Sequence, residues 1–347
     1  MLLTDFDYNL PSELIAQKPC SPRDHSRLFV INRKTKKFQH KNFYQLDKFL
    51  KKGDVLVINN SQVFPARLIG HKTSGGKIEV FLHQVKEDNI WECLVRGKVK
   101  TGLKISFNNK LTAELLSDQG DGTWLVSFNL KAKEFWHQLE KIGQIPLPPY
   151  IQPDIKSKNR RRYQTVYADS KQRGSVAAPT AGLHFTERLL QKLSRQGVKI
   201  VPLTLHVGLG TFASVKTQDI RKHQMHEESF FLSLSSLETI LKAKKLGNRV
   251  IAVGTTSCRV LESLGQDLAT LKFNGIGPYF GSTKIFLYPG KKFLMVDALI
   301  TNFHLPKSTL LMLVSAFAGT ELIKKAYQEA IKEAYRFYSY GDAMLIL

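Results

Sequence analysis

Cysteine is scarce in this chain of 347 residues: Cys20, Cys93 and Cys258 are odd in number and far apart. They supply neither a disulfide framework nor a Cys-x-x-Cys metal pair, so a reducing compartment is expected. Long apolar runs are missing too. The stretch 310–318 falls well short of the ~20 residues that span a bilayer. Bases are absent from Met1-Leu2-Leu3-Thr4-Asp5-Phe6-Asp7, which carries acids instead. A secretory leader starts with bases, so the expected location is cytoplasmic, with no membrane partner. Internal repeats and low-complexity tracts are also lacking. Acids are outnumbered, 29 against 51 Lys+Arg, for a formal charge of +22. That excess suits a polyanion, of which nucleic acid is the commonest, although a lysine-rich soluble surface gives the same count.

What remains is the balance of a folded chain, 43% hydrophobic and 23% charged, which excludes disorder. The length suggests about two domains. Up to residue 60 the reading is a short helix followed by strands at 28–31 and 54–58. Between Phe64 and Gln144 six short alternating runs follow, at 66–69, 77–82, 91–95, 103–107, 111–115 and 123–128, separated by turn signals such as Ser74-Gly75-Gly76 and Asn108-Asn109. Short strands at this spacing form an antiparallel barrel or sandwich. Pro146-Leu147-Pro148-Pro149 then breaks the pattern. The second half alternates strand and helix, with helix starts at Thr186, Ser235, Ser308 and Thr320 and a turn at Gly254-Thr255-Thr256. Such alternation predicts a largely parallel sheet covered by helices. The expected fold class is therefore an α/β main domain (1–63 plus 148–347) with an inserted six-stranded antiparallel β-barrel domain (64–147).

Several segments carry residue types suited to chemistry. Gly208-Leu209-Gly210-Thr211-Phe212-Ala213 follows a strand and fits G-x-G-x-x-A, but no helical apolar face follows it. A tight loop admitting a ligand to the backbone suits it better than a dinucleotide site. Thr180-Ala181-Gly182-Leu183-His184-Phe185 and Gly254-Thr255-Thr256-Ser257-Cys258-Arg259 place small residues at helix starts, where free amides accept anions. Arg259 would suit a carboxylate. Well-capped turns give the same strings. His223-Gln224-Met225-His226-Glu227-Glu228 lacks the zincin order, so no metal is expected there and acid–base work or surface structure remains open. His304 with Asn302 sits in a proline-fixed loop after Asp297. Arg160, Arg161, Arg162 and Tyr163 combine cations with an aromatic, as a phosphate and a stacked base would require.

Together these segments resemble the S-adenosylmethionine:tRNA ribosyltransferase-isomerase family of bacterial queuosine synthesis. The resemblance covers nearly the whole chain. It includes Arg23-Asp24-His25-Ser26-Arg27-Leu28, Asn59-Asn60-Ser61-Gln62-Val63-Phe64-Pro65-Ala66-Arg67 and Tyr163-Gln164-Thr165-Val166-Tyr167-Ala168. It is densest at 176–186, 203–212, 223–228 and 254–263, and ends with 296–311, Tyr335-Arg336-Phe337 and Ser339-Tyr340-Gly341-Asp342-Ala343-Met344-Leu345-Ile346.

The resemblance implies a two-domain fold with an inserted barrel, and a ribosyl transfer from S-adenosylmethionine to the 7-aminomethyl-7-deazaguanine wobble base of tRNA. Adenine and methionine leave and epoxyqueuosine forms. S-adenosylmethionine is consumed as a substrate, so no cofactor, no metal and no obligate protein partner are implied. Candidate acid–base residues are His184, His206, His226, Glu228, Asp297 and His304. Candidate S-adenosylmethionine contacts are Thr180, Ala181, Gly182, Phe185, Gly208, Gly210, Thr211, Phe212, Gly254, Thr255, Thr256, Arg259, Asn302 and Phe303. Phe185, Phe212 or Phe303 would stack on adenine, and Arg259 would clamp the methionine carboxylate. Arg160, Arg161, Arg162 and Tyr163 would hold the tRNA. A methyltransferase on RNA and a non-catalytic RNA-binding protein are the rival classes.

Overall fold

A computed structural model describes residues 1–120, 122–148, 150–151, 162–208, 215 and 217–347. The chain divides into two compact units, Met1–Gln62 with Pro148–Leu347, and Val63–Leu147.

The first unit is built on a nine-stranded sheet. Its strands are β1 (Arg27–Ile31), β2 (Phe38–Asn42), β3 (Val55–Asn59), β12 (Lys199–Leu205), β13 (Glu228–Leu232), β14 (Val250–Val253), β15 (Tyr279–Thr283), β16 (Ala298–Asn302) and β17 (Ala343–Ile346), in the order β15-β13-β12-β3-β14-β16-β17-β1-β2. Two short strands, β4 (Gln62–Val63) and β11 (Arg173–Ser175), lie outside it. The expectation of a largely parallel sheet holds only for the centre. β12, β3, β14 and β16 run parallel, as do β17 and β1, while β15, β13, β2 and the β16–β17 pair are antiparallel. The cause lies in the connections. Only a crossover returns a strand parallel to its neighbour, and helices fill that role around the central strands.

Those central strands are hydrophobic without alternation because both faces are covered. Val55 and Val57 of β3 face one core cluster and Leu56 and Ile58 the other. Val250 and Ala252 of β14 likewise oppose Ile251 and Val253. Helices α2 (Glu187–Arg195), α3 (Leu234–Lys245), α4 (Gly254–Ala269), α5 (Thr309–Ala318) and α6 (Thr320–Lys332) belong to the same unit. The Thr186 side chain caps α2 by accepting from Leu189 N, and Ser308 caps α5 by accepting from Leu311 N, as the sequence predicts. The predicted start of α3 at Ser235 lies two residues late: Ser233 is the cap, accepting from Ser236 N. Nor does a turn intervene before α4. Gly254, at φ +85°, leads straight from β14 into the helix, a backbone angle that glycine alone adopts without strain.

The second unit is a closed barrel of six antiparallel strands: β5 (Arg67–Lys72), β6 (Lys77–Glu87), β7 (Ile90–Arg96), β8 (Lys104–Ser106), β9 (Thr112–Asp118) and β10 (Thr123–Phe128). Each matches one of the six alternating runs. Ile78, Val80 and Leu82 point inward from β6, two residues apart, as a strand with one buried face requires. A helix that strand counting misses, α1 (Ala132–Ile142), buries Phe135, Gln138 and Leu139, which lie on one helical face. No helix among the described residues is long and apolar enough to cross a membrane.

Candidate active site

In open α/β sheets, ligands bind beyond the carboxyl ends of the parallel strands. In the first unit that edge is formed by Asn59 ending β3, His206 following β12, Gly254 following β14 and Asn302 ending β16. Polar side chains converge there. Asn59 ties two strands together, donating from Nδ2 to the Leu205 carbonyl at 3.0 Å while its Oδ1 accepts from Leu205 N at 3.1 Å and Ser61 N at 3.0 Å. Ser61 Oγ lies 2.7 Å from Ser175 Oγ and 2.8 Å from His206 Nδ1, so one hydroxyl, itself held by a second, sets the orientation of this imidazole. His206 is half-buried, and that burial lowers its pKa. A neutral imidazole at physiological pH follows, with Nε2 making no hydrogen bond among the described residues.

His184 is more enclosed. Its Nδ1 lies 2.7 Å from Ser26 Oγ and its Nε2 3.2 Å from Asn302 Nδ2, and the ring stacks on Phe43. With the Asn302 amide as donor, Nε2 accepts and Nδ1 carries the proton. Burial first, then the charges of Arg336 and Arg23, push its pKa down to about 3. His304 is similarly sealed, Nε2 sitting 2.9 Å from Thr301 Oγ1, and burial takes it to about 3. The loop at Thr180–His184 lies beside α4 and β16, with the Ala181 side chain near Gly254, so Thr180, Ala181, Gly182, Gly254, Thr255, Thr256 and Asn302 do share one region.

Other predicted site residues sit elsewhere or are committed otherwise. Asp297 precedes β16 and lies at the opposite end of the sheet, about 15 Å of extended strand from Asn302. There it accepts from Lys244 Nζ at 3.0 Å and from Val250 N at 2.8 Å, bonds that tie strand to helix. Arg259 is engaged within the fold. Its Nη1 is bonded to Glu228, and Nε and Nη2 reach the carbonyls of Ile285 and Thr283 at 3.3 and 3.5 Å. Both partners of this ion pair are buried. The other Glu228 oxygen accepts from Gly208 N at 3.1 Å. Phe303 is fully buried among Phe29, Tyr327, Tyr335 and Phe337, and Phe185 against Phe43 and Tyr167. Neither ring offers a face to adenine. Tyr163 is also core, 1% exposed and edge-on to Tyr340, so it is no platform for a base. His226 is exposed and Arg162 half-buried. Gly210, Thr211, Phe212, Arg160 and Arg161 lie outside the described residues. No group of His, Cys, Asp and Glu able to hold a metal occurs among the described residues.

Sequence reasoning assigned no role to Asn59, Ser61 or Ser175. The signal for two of them was present: three polar residues, Asn59-Asn60-Ser61, directly end an apolar strand.

Comparison with known proteins accords with this architecture. A family profile described as queuosine biosynthesis protein matches residues 3–346. A protein of Thermosipho melanesiensis named S-adenosylmethionine:tRNA ribosyltransferase-isomerase is 50% identical over the full length of both chains. One of the same name from a Sulfurihydrogenibium species is 51% identical, again over both full lengths. The crystal structure of S-adenosylmethionine tRNA ribosyltransferase from Thermotoga maritima is also similar, with TM-score 0.57 and 38% identity, covering 99% of this chain and 100% of that one. The chain belongs to the queuosine biosynthesis protein family, and is an enzyme of the S-adenosylmethionine:tRNA ribosyltransferase-isomerase type.

Proposed function

We propose that this enzyme transfers and isomerises the ribosyl part of S-adenosylmethionine onto the 7-aminomethyl-7-deazaguanine wobble base of tRNA, releasing adenine and methionine and giving epoxyqueuosine. The full-length family match carries the reading, and the polar network beyond β3, β12, β14 and β16 suits it. The sulfonium acidifies the sugar carbon beside it. A base removes that proton to leave an ylide; adenine leaves the anomeric carbon with the bonding pair and takes up a proton, and the aminomethyl nitrogen of the tRNA base bonds there in its place. Opening of the ring C–O bond then gives an iminium and an alkoxide, the ylide carbon closes onto the iminium carbon, and the alkoxide displaces methionine to form the epoxide. The nucleophile belongs to the substrate, so no covalent enzyme intermediate is needed.

Of the six acid–base candidates, His206 fits best. His184 and His304 would have to hold a proton where burial drives it off, and Glu228 is occupied by Arg259. His206 is neutral, half-buried and oriented by Ser61, with a ring nitrogen left over. The amides at Thr180, Ala181 and Gly254–Thr256 would bind S-adenosylmethionine, those of Gly182 and Gly208 being bonded to the Pro179 carbonyl and to Glu228. The basic excess, with Arg160, Arg161 and Arg162, would bind tRNA.

The test is release of adenine and methionine from S-adenosylmethionine, with and without tRNA bearing the aminomethyl-deazaguanine base. One-to-one release that requires this tRNA is expected. Adenosylhomocysteine in place of adenine would instead mark a methyl transfer and refute the reading.

A further inference from the structure

The network around His206 leaves another set of polar groups in the first unit unexplained. Arg23 donates from Nη1 to the Leu183 carbonyl at 3.3 Å, and Arg162 donates from Nη2 to the Cys20 carbonyl, three residues before Arg23. One short loop thus carries one guanidinium and anchors the other. Arg23 is depressed by burial first and next by the charge of Arg162, while Tyr340 and Tyr167 act on it in turn. Burial pushes the Tyr340 phenol up to about 12, against the opposing charges of Arg162 and Arg23. Tyr340 is only 3% exposed, held edge-on by Tyr163, yet its hydroxyl has no hydrogen-bond partner among the described residues. The Tyr167 hydroxyl and Arg162 Nε are buried and unpartnered in the same way. Folded proteins rarely leave such atoms unpaired, and three of them associated with the Arg23–Arg162 pair suit a ligand that supplies the missing acceptors.

The chemistry of the lining limits that ligand. Guanidinium groups only donate, and phenols that burial keeps protonated have an O–H to give. The geometry points to an oxyanion subsite formed by Arg23, Arg162, Tyr167 and Tyr340 that holds a backbone phosphate of the RNA strand beside the reacting nucleotide. This inference rests on the tRNA reading above. The methionine carboxylate is the other oxyanion at hand, but it carries an ammonium next to it, which two guanidiniums repel. A phosphodiester brings no cation, and its paired oxygens match the fork of an arginine.

The experiment measures binding of an anticodon stem-loop RNA to the full chain over a range of salt, alongside KM for S-adenosylmethionine and for tRNA in the adenine-release assay. Arg23→Gln should weaken RNA binding and flatten the slope of log K against log salt by about 0.7, the loss of one phosphate contact on a single strand. Tyr340→Phe keeps the ring packed on Tyr163 and removes one hydrogen bond, so it carries the test even if the first variant folds poorly. Its RNA affinity should fall about threefold to tenfold, with KM for tRNA rising in step. Unchanged RNA affinity with a raised KM for S-adenosylmethionine would overturn the assignment in favour of the methionine carboxylate. Lower thermal stability with both substrates unaffected would reduce these groups to structural ones. A wild-type chain without RNA affinity or tRNA-dependent adenine release would sink the functional reading itself, whereas normal wild-type behaviour with indifferent variants would sink the subsite alone.

Discussion

Glu228 and Arg259 show how a single contact reassigns two residues. Each looks functional in isolation: a carboxylate beside histidines, and an arginine in the first turn of a helix. Buried against each other, they neutralise one another and hold β13 to α4. Removing one partner strands a charge away from water, at a cost of about 3–5 kcal/mol. Glu228→Gln is therefore expected to lower the urea-unfolding free energy by roughly that amount; a loss under 1 kcal/mol would show that the pair is not a structural tie. The pairing was not legible in the sequence, because 31 positions separate the two residues and only the fold brings them together. His206 presents the opposite case. Its place after an apolar strand is readable, but the Ser61 hydroxyl that orients it, and the Ser175 hydroxyl behind that, come from other segments. His206→Ala should reduce kcat by about 10²–10⁴-fold, the usual worth of a positioned acid–base group, in the adenine-release assay. A loss below tenfold would remove it as the base.

Local elements were the most legible part of the chain. The six barrel strands follow from period-two patterning, and the caps Thr186 and Ser308 from their side chains, because these signals act between near neighbours. The α3 start was misplaced since Ser233, Ser235 and Ser236 all offer a capping oxygen, and only the backbone path selects Ser233. Long-range pairing was less legible: the antiparallel edge strands are set by which connection crosses the sheet, which local propensity does not encode. One short element has a sharp consequence for the site. Gly174 of β11 lies so close to His206 that an added Cβ would meet Nδ1 at 2.7 Å and Cε1 at 2.8 Å. Gly174→Ala is expected to displace the His206 imidazole from its contact with Ser61, and misplacement by about 1 Å costs on the order of 10²-fold in rate. The expected result is a kcat reduced by about 10- to 100-fold in a protein whose far-UV circular dichroism is unchanged. Full activity would mean that the position of this ring does not matter.

At the scale of the whole molecule, two buried neutral histidines and a large positive charge bear on the same property. His184 and His304 hold pKa values of about 3, against about 6.5 once unfolded, because burial penalises the charged ring. Both are lowered in the native state, so the unfolded chain binds the extra protons as pH falls. Stability is fully present above pH ~6.5 and is lost on acidification toward pH 3. Between pH 7 and 5 each histidine should cost about 2 kcal/mol, an interval above the range where ordinary carboxylates titrate. Native self-repulsion adds to this, since a chain already at +22 gains further charge as its exposed histidines protonate. Salt screens that repulsion but not the burial penalty, which separates the two contributions. Urea unfolding at pH 7, 6 and 5, in low and high salt, should thus show a decline that persists at high salt. His184→Gln, which keeps a polar side chain opposite Ser26 and Asn302, should flatten the decline by about half. A decline abolished by salt would assign it to surface charge and leave the two sealed rings without a part in the acid sensitivity.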